Sequence, residues 1–231
     1  MKKCTYILFF LLISASLSSQ INMVSKKIFL DSLNRETTSP DFSYTRIITN
    51  YSQKSARYVV TDFYKNGRKK MTGATLDRDI LKRDGEFICY YKNGAKESVI
   101  DYVNDQKSGK EINWYENQSK KSEKKNSWNP QTKKSQTLIL NYWTKDKEQT
   151  VTDGNGEYEE TDGFVTQKGE IKNGLKQGAW LGNDLVKNIS FVDNYEKGIL
   201  TSGVSIDKNN VKTSYSSLSE KQLGKKVVKL K

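Results

Sequence analysis

The 231-residue chain carries 39 Lys and Arg against 27 Asp and Glu, a formal charge of +12, with 35% hydrophobic residues and a mean hydropathy of -0.78. That composition argues against a thick two-layer core, although 13 Tyr and 4 Trp supply large amphipathic rings that can cover a thin sheet. The absence of His removes Ser-His-Asp and Cys-His nucleophile systems and mixed His/Cys zinc sites, and with 2 Pro the chain is not proline-rich and disordered.

Residues 1–19 read as a signal peptide. Met1-Lys2-Lys3 precedes an apolar run from Tyr6 to Ile13 and the small residues Ser14 to Ser19, too short a run to span a bilayer as a helix. Cys4 lies before that run, whereas a lipoprotein would place its Cys just after it, so anchoring through Cys4 is not expected. A mature chain starting near Gln20 keeps Cys89 as its lone thiol and cannot form an internal disulfide. Loss of Lys2 and Lys3 leaves a charge of +10, which favours anionic partners, the alternative being a solvated lysine-rich surface. Expected partners are another envelope protein, an acidic glycan or anionic lipid headgroups. Nucleic acid is not expected, nor is a transmembrane span in the mature chain.

Residues 20–57 hold the first strands: Lys26 to Ser32 at the edge, a turn at Ser39-Pro40-Asp41, and the β-branched and aromatic run Tyr44 to Thr49. Residues 58–128 then state one phrase three times: Phe63-Tyr64-Lys65-Asn66-Gly67, Tyr90-Tyr91-Lys92-Asn93-Gly94 and Trp114-Tyr115-Glu116-Asn117-Gln118. Asn-Gly suits a two-residue type I′ turn, so Asn66-Gly67 and Asn93-Gly94 predict the bends of β-hairpins. A turn at Asn93-Gly94 sets Tyr91 against Lys96, Cys89 against Ser98 and Phe87 against Ile100, and the same construction pairs Tyr64 with Lys69 and Tyr115 with Lys120. Gly109 to Tyr115 repeats Gly85 to Tyr91 24 residues on, the period of a repeat array whose hairpins must join edge to edge.

Residues 129–161 read as an insert and an irregular repeat, and the basic stretch Lys120 to Lys134 as a long loop. Gln136 to Trp143 and Thr150 to Thr152 are strands around a turn. Residues 162–218 return to the repeat, with Asn173-Gly174 as a further turn in the phrase Asn-Gly-x-x-x-Gly-x-Trp, then closing strands at Ile189 to Val192, Ile199 to Ile206 and Val211 to Leu218 around a turn at Asn209-Asn210. The basic tail, 219–231, lacks turn chemistry and is expected to fray.

The Gly, aromatic-strand and Tyr-Tyr-Lys-Asn-Gly-x-Lys pattern, with Asn173-Gly174-Leu175-Lys176-Gln177-Gly178-Ala179-Trp180, resembles the variant MORN repeats of YwqK-type bacterial proteins, often labelled antitoxin-like. The resemblance runs from Tyr58 to about Ile206 and extends to exported Gram-negative envelope proteins, some of which carry a C-terminal TonB-like domain for which 231 residues leave no room. It implies an all-β fold, an elongated single-layer antiparallel meander of hairpin repeats used as a scaffold or binding surface, without catalytic residues, metal or cofactor. Gln118 departs from the Gly of the pattern, so its hairpin is expected to be less regular.

The residues themselves add little chemistry. Cys89 sits mid-strand between apolar neighbours, as a packed thiol does. Glu157, Glu159, Glu160 and Asp162 offer the paired carboxylates a glycan hydrolase needs, but acids beside Gly-rich turns are normally solvated. Asp153-Gly154-Asn155-Gly156-Glu157 begins like a calcium loop and fails where Tyr158 replaces the required Gly. Lys120, Lys121, Lys124, Lys125, Lys133 and Lys134, interleaved with Trp114 and Trp128, could hold an acidic polymer. The site expected from register is the ladder Tyr64/Lys69, Tyr91/Lys96 and Tyr115/Lys120, one pair per hairpin on one face, meeting a repeating anionic ligand. The reading is an exported, non-enzymatic binding scaffold in the periplasm, at the outer surface or secreted. An antitoxin-like protein binding a toxin partner and a carboxylate hydrolase are the alternatives.

Overall fold

The computed structural model describes residues 24–52 and 54–223; the signal peptide expected at 1–19 and the expected tail beyond 223 lie outside them. The described residues form one antiparallel sheet of 16 strands in strict sequence order, so every strand pairs with its neighbours in the chain. Strands β1 (Lys26–Leu30) and β2 (Tyr44–Ile48) open it. Three like hairpins follow: β3 (Tyr58–Tyr64) with β4 (Lys69–Thr75), β5 (Gly85–Tyr90) with β6 (Lys96–Val103), and β7 (Gln106–Trp114) with β8 (Lys120–Asn129). Then come β9 (Lys134–Trp143), β10 (Gln149–Thr152), β11 (Asn155–Asp162) and β12 (Val165–Lys172). The sheet closes with β13 (Leu175–Asp184), β14 (Ile189–Glu196), β15 (Ile199–Asp207) and β16 (Lys212–Tyr215), before the short helix α1 (Leu218–Leu223).

The repeated phrase makes a different turn from the expected one. Gly94 N–H donates to the Tyr91 carbonyl (2.9 Å) and Tyr91 N–H to the Ala95 carbonyl (2.9 Å), a three-residue loop in which Gly94 alone has positive φ, at 93°. Asn66 and Asn93 are not left-handed; their side-chain oxygens accept from the N–H groups of Arg68 (3.1 Å) and Ala95 (2.8 Å). The loop is a type I turn followed by a left-handed residue, the second common hairpin connection. Gln118 takes the same conformation (φ 69°) with the same two backbone bonds, so its hairpin is as regular as the others. Lys147 (φ 69°) takes the same loop between Thr144 and Glu148, as do Asn34 (φ 61°) between Asp31 and Arg35 and Asn210 (φ 60°) between Asp207 and Val211. The expected type I′ geometry occurs on the other side of the sheet, at Asn173-Gly174, where both residues have positive φ (51° and 80°).

The extra loop residue is offset by a bulge one step further into each hairpin. Cys89 faces Ser98 and Phe87 faces Ile100 as expected, but Tyr90, not Tyr91, faces Lys96. Likewise Phe63 faces Lys69 and Trp114 faces Lys120. The Tyr/Lys register at 64/69, 91/96 and 115/120 is therefore corrected by one residue.

Two segments are more ordered than their composition suggests. Lys120 to Lys134 is not a long loop: β8 occupies Lys120–Asn129 and pairs with both β7 and β9. Its alternation is masked because its buried side chains are Ser122 and Asn126, which hydrogen bond Asn113 (3.0 Å) and Glu111 (3.0 Å). Leu218–Leu223 is helical, with Glu220 N–H donating to the Ser217 hydroxyl (3.2 Å) and the Glu220 carboxylate accepting from Ser216 N–H (2.7 Å), a variant of the capping box.

With one layer, the sheet packs its inner face against itself. Aromatic rings lie over glycines directly across the ladder: Trp180 opposite Gly169, Phe191 opposite Gly182 and Tyr215 opposite Gly203. A Cβ at Gly169 would meet the Trp180 ring at 2.5 Å. Two apolar clusters result, one around Val60, Phe87 and Tyr102, the other around Val151, Tyr158, Ile171 and Trp180. The sheet curls between them. Ile139 N–H on β9 donates to the carbonyl of Gly174 in the β12–β13 turn (2.9 Å), although these strands are not ladder neighbours.

Gly169→Ala should overpack the Trp180 ring and cost about 1–3 kcal/mol. Gln118→Gly and Lys147→Gly should each stabilise by about 0.5–1 kcal/mol, because glycine relieves the left-handed strain and gives back part of the gain as chain entropy. Urea midpoints at unchanged slope measure all three, and a neutral Gly169→Ala would contradict the ring-over-glycine packing.

Candidate functional site

The tyrosines of the expected ladder join one hairpin to the next. The Tyr64 hydroxyl donates to the Tyr90 carbonyl (2.7 Å), Tyr91 to the Trp114 carbonyl (2.7 Å) and Tyr115 to the Trp143 carbonyl (2.8 Å). In each case the second aromatic of one phrase ties down the equivalent first position of the next. The turns follow suit, Asn93 Nδ2 donating to the Glu116 carbonyl (3.3 Å). The ladder stops where Thr144 occupies the tyrosine position, too short to reach onward. Lys69 and Lys96 are exposed, and Lys120 is paired with Glu123 (2.7 Å). The structure thus keeps the one-per-hairpin spacing but commits the three hydroxyls to holding the array together.

Inward-facing side chains on β7 and β8 build a different site. By register, hairpin β7–β8 superposes on β5–β6: Glu111 stands where Phe87 does, Lys124 where Ile100 does and Asn126 where Tyr102 does. Three apolar positions have become an acid, a base and an amide on an unchanged backbone. Glu111, only 4% exposed, accepts from Lys107 (2.9 Å), Asn126 (3.0 Å) and Asn113 (3.2 Å), and Asn126 in turn accepts from Thr137 (2.6 Å). A buried carboxylate with three donors is satisfied, and the network separates the two apolar clusters.

Above this floor lie two adjoining cavities of about 340 and 580 Å3 that share Lys107, Lys124, Tyr158 and Glu160, a continuous trough across the curled face. Lys121 and Gln167 line one end and Lys176 the other. Lys107 and Lys176 are neutralised by Glu111 (2.9 Å) and Glu160 (2.7 Å). Burial pushes the Glu111 carboxyl up, but the hydrogen bond and charge of Lys107, with Lys124 and Asn126, hold it below the usual range. Burial lowers Lys121, and the neighbouring charges of Lys124 and Lys145 lower it further.

Other expected residues are elsewhere. Cys89 is half-buried on β5, where burial pushes its thiol up. Glu157 is exposed and paired with Lys168 (2.8 Å), and Asp153-Gly154 is a tight turn with φ of 47° and 79°. Among the described residues no group of His, Cys, Asp and Glu is arranged to hold a metal ion, and no helix is long and apolar enough to cross a membrane. Of the trough residues, Tyr91, Trp114, Lys121, Lys124, Glu160 and Asp162 were singled out by their sequence setting; Lys107, Glu111 and Lys176 were not. The signal for Glu111 is the 24-residue repeat itself, which sets Glu111 beneath Phe87. No protein-family model matches the chain, and no curated protein does.

Tyr115→Phe should lose about 0.5–1.5 kcal/mol at neutral pH. Burial, then the contact with the Tyr142 hydroxyl, raises the Tyr115 phenol, so its contribution is complete below the unfolded value of about 10 and declines as pH climbs beyond it. The gap in unfolding free energy between wild type and Tyr115→Phe should therefore be full at pH 8 and narrower at pH 11; a gap that widened would refute the assignment.

Proposed function

We propose that the protein is an exported, non-enzymatic repeat scaffold that binds its partner in the trough on the curled face of the sheet. The carrying observation is the exchange of Phe87, Ile100 and Tyr102 for Glu111, Lys124 and Asn126 between two otherwise superposable hairpins. An apolar core position given over to charge weakens packing and is expected where the chain serves something besides its own fold. The MORN-like phrase and the leader at 1–19 support a scaffold of the cell envelope. Glu160 and Asp162, two of the acids of the hydrolase alternative, line the trough, and Glu160 is held by Lys176 (2.7 Å).

Retention of the protein on isolated envelope material tests the reading. Asp162→Trp places a bulky ring at an exposed position on the trough face, beside Glu160, and should abolish retention without changing the melting temperature. Leu181→Ser, on the opposite face and 63% exposed, should leave retention intact. Retention insensitive to Asp162→Trp would place binding elsewhere.

A further inference from the structure

We infer that the protein forms a two-fold dimer through the outward face of strands β2 to β7, with an apolar row on the axis and lysines of each copy meeting carboxylates of the other. The inference concerns the face opposite the trough and does not depend on what the trough binds.

Side chains that alternate with the buried Val60, Phe87, Ser98 and Glu111 point away from the core. On that side, ladder register sets Ile47, Thr61, Thr72, Ile88, Val99 and Ile112 in one continuous row across six strands. Five strand spacings make the row about 24 Å long, and Glu123 on β8 ends it. The row carries no charge, although 29% of the chain is charged, and no strand or helix of the described residues packs over it. A single-layer sheet left in water would place charge here. A β-branched row suits the inner surface of a sandwich, where a second sheet packs about 10 Å away with its strands aligned.

The margins of the row decide what covers it. Toward the hairpin turns lie Lys69 and Lys96, exposed and opposite Phe63 and Tyr90. Toward the other end, Glu86 and Asp101 stand directly opposite each other, a like-charge pair that costs stability. Asp101 accepts from the Lys110 N–H (3.2 Å), but among the described residues neither acid forms an ion pair, and neither do Lys69 and Lys96. The two margins are about 15 Å apart along the strands, so the lysines and the acids do not meet within one chain.

Turning a second copy over about the row reverses its margins. Ile88 and Val99 then meet their own counterparts, Lys96 of each copy comes over Asp101 of the other, and Lys69 lies beside Glu86. The alternative two-fold, about an axis along the strands, sets lysine against lysine. Charges without partners in one chain thus find them in a pair, in a closed isologous contact. An anionic bilayer laid on this face would meet the two carboxylates as well as the lysines. The inward faces end on opposite sides of the dimer, and both troughs stay open.

Sedimentation equilibrium of the intact protein tests this. A reversible monomer–dimer equilibrium is expected, and Val99→Lys should abolish it, because a charge on the axis meets its own copy. Lys96→Glu and Asp101→Lys should each weaken association about tenfold, and the double variant Lys96→Glu/Asp101→Lys should return it to near the wild-type value, since the exchanged charges still meet. All four variants should keep the circular dichroism of the wild type, as the changes lie on the solvent side of the sheet. A chain that stays monomeric up to about 100 μM, association that runs on past the dimer, a dimer indifferent to Val99→Lys, or a double variant no better than the single ones would overturn the inference.

Discussion

A sheet with no second layer can bury its inner face only against itself, and the ring laid over a cross-strand glycine is the contact that makes this possible. Trp180 over Gly169, Phe191 over Gly182 and Tyr215 over Gly203 each place a large aromatic where a Cβ would collide. The glycine lets the ring lie down on the strand, and a ring lying flat covers its neighbours as well, so Trp180 becomes fully buried without any opposing element. The curl draws β9 toward the β12–β13 turn and turns one face into a concavity. Removing that fit would open the sheet and, with it, the trough.

The end of the array shows the same constraint applied to charge. Asp193 on β14 is fully buried, accepts from the Tyr215 hydroxyl (2.7 Å), and is neutralised by Lys221 of α1 (2.5 Å). Arg46 holds the buried Asp62 near the opposite end through two bonds of 2.7 and 2.8 Å. Breaking either pair would strand a charge in the interior, which is costlier than the pair's own net contribution. The terminal cap is thus fixed by an ion pair and by the aromatic Tyr215.

What could be read from the sequence was whatever local chemistry sets. β-Branched and aromatic runs between turn residues gave the strands, and the phrase around Tyr64, Tyr91 and Tyr115 gave a repeat with the correct register deep in the β5–β6 hairpin. The one-residue error near the turn arose because Asn-Gly serves two loop types: a left-handed pair, or an Asn hydrogen bonding the N–H two residues ahead of a left-handed Gly. The choice carries a compensating bulge, and only the structure reveals both. β8 escaped notice for another reason. Periodicity searches look for apolar residues on the inner face, whereas its inner face holds Ser122, Lys124 and Asn126, polar groups that Asn113, Glu111 and Thr137 help to satisfy. The site was illegible for the same reason the strand was.

That coincidence bears on function. Sequence rules fail where a residue is chosen for something other than folding, and in this chain the exchange of inward-facing apolar residues for polar ones falls on the β7–β8 hairpin. Its backbone, glycine and tyrosine link are those of its neighbour, so the departure lies in the side chains alone. The network under Glu111 spends that departure on a satisfied floor, which keeps the hairpin folded, with Lys124 opposite Glu111 across the ladder and Lys121 and Glu97 lining the same trough. A floor made only for stability would have kept Phe87's counterpart. A floor that is polar and internally paired gives up apolar packing on this hairpin alone, and Phe87 one hairpin earlier shows that the backbone does not require the exchange.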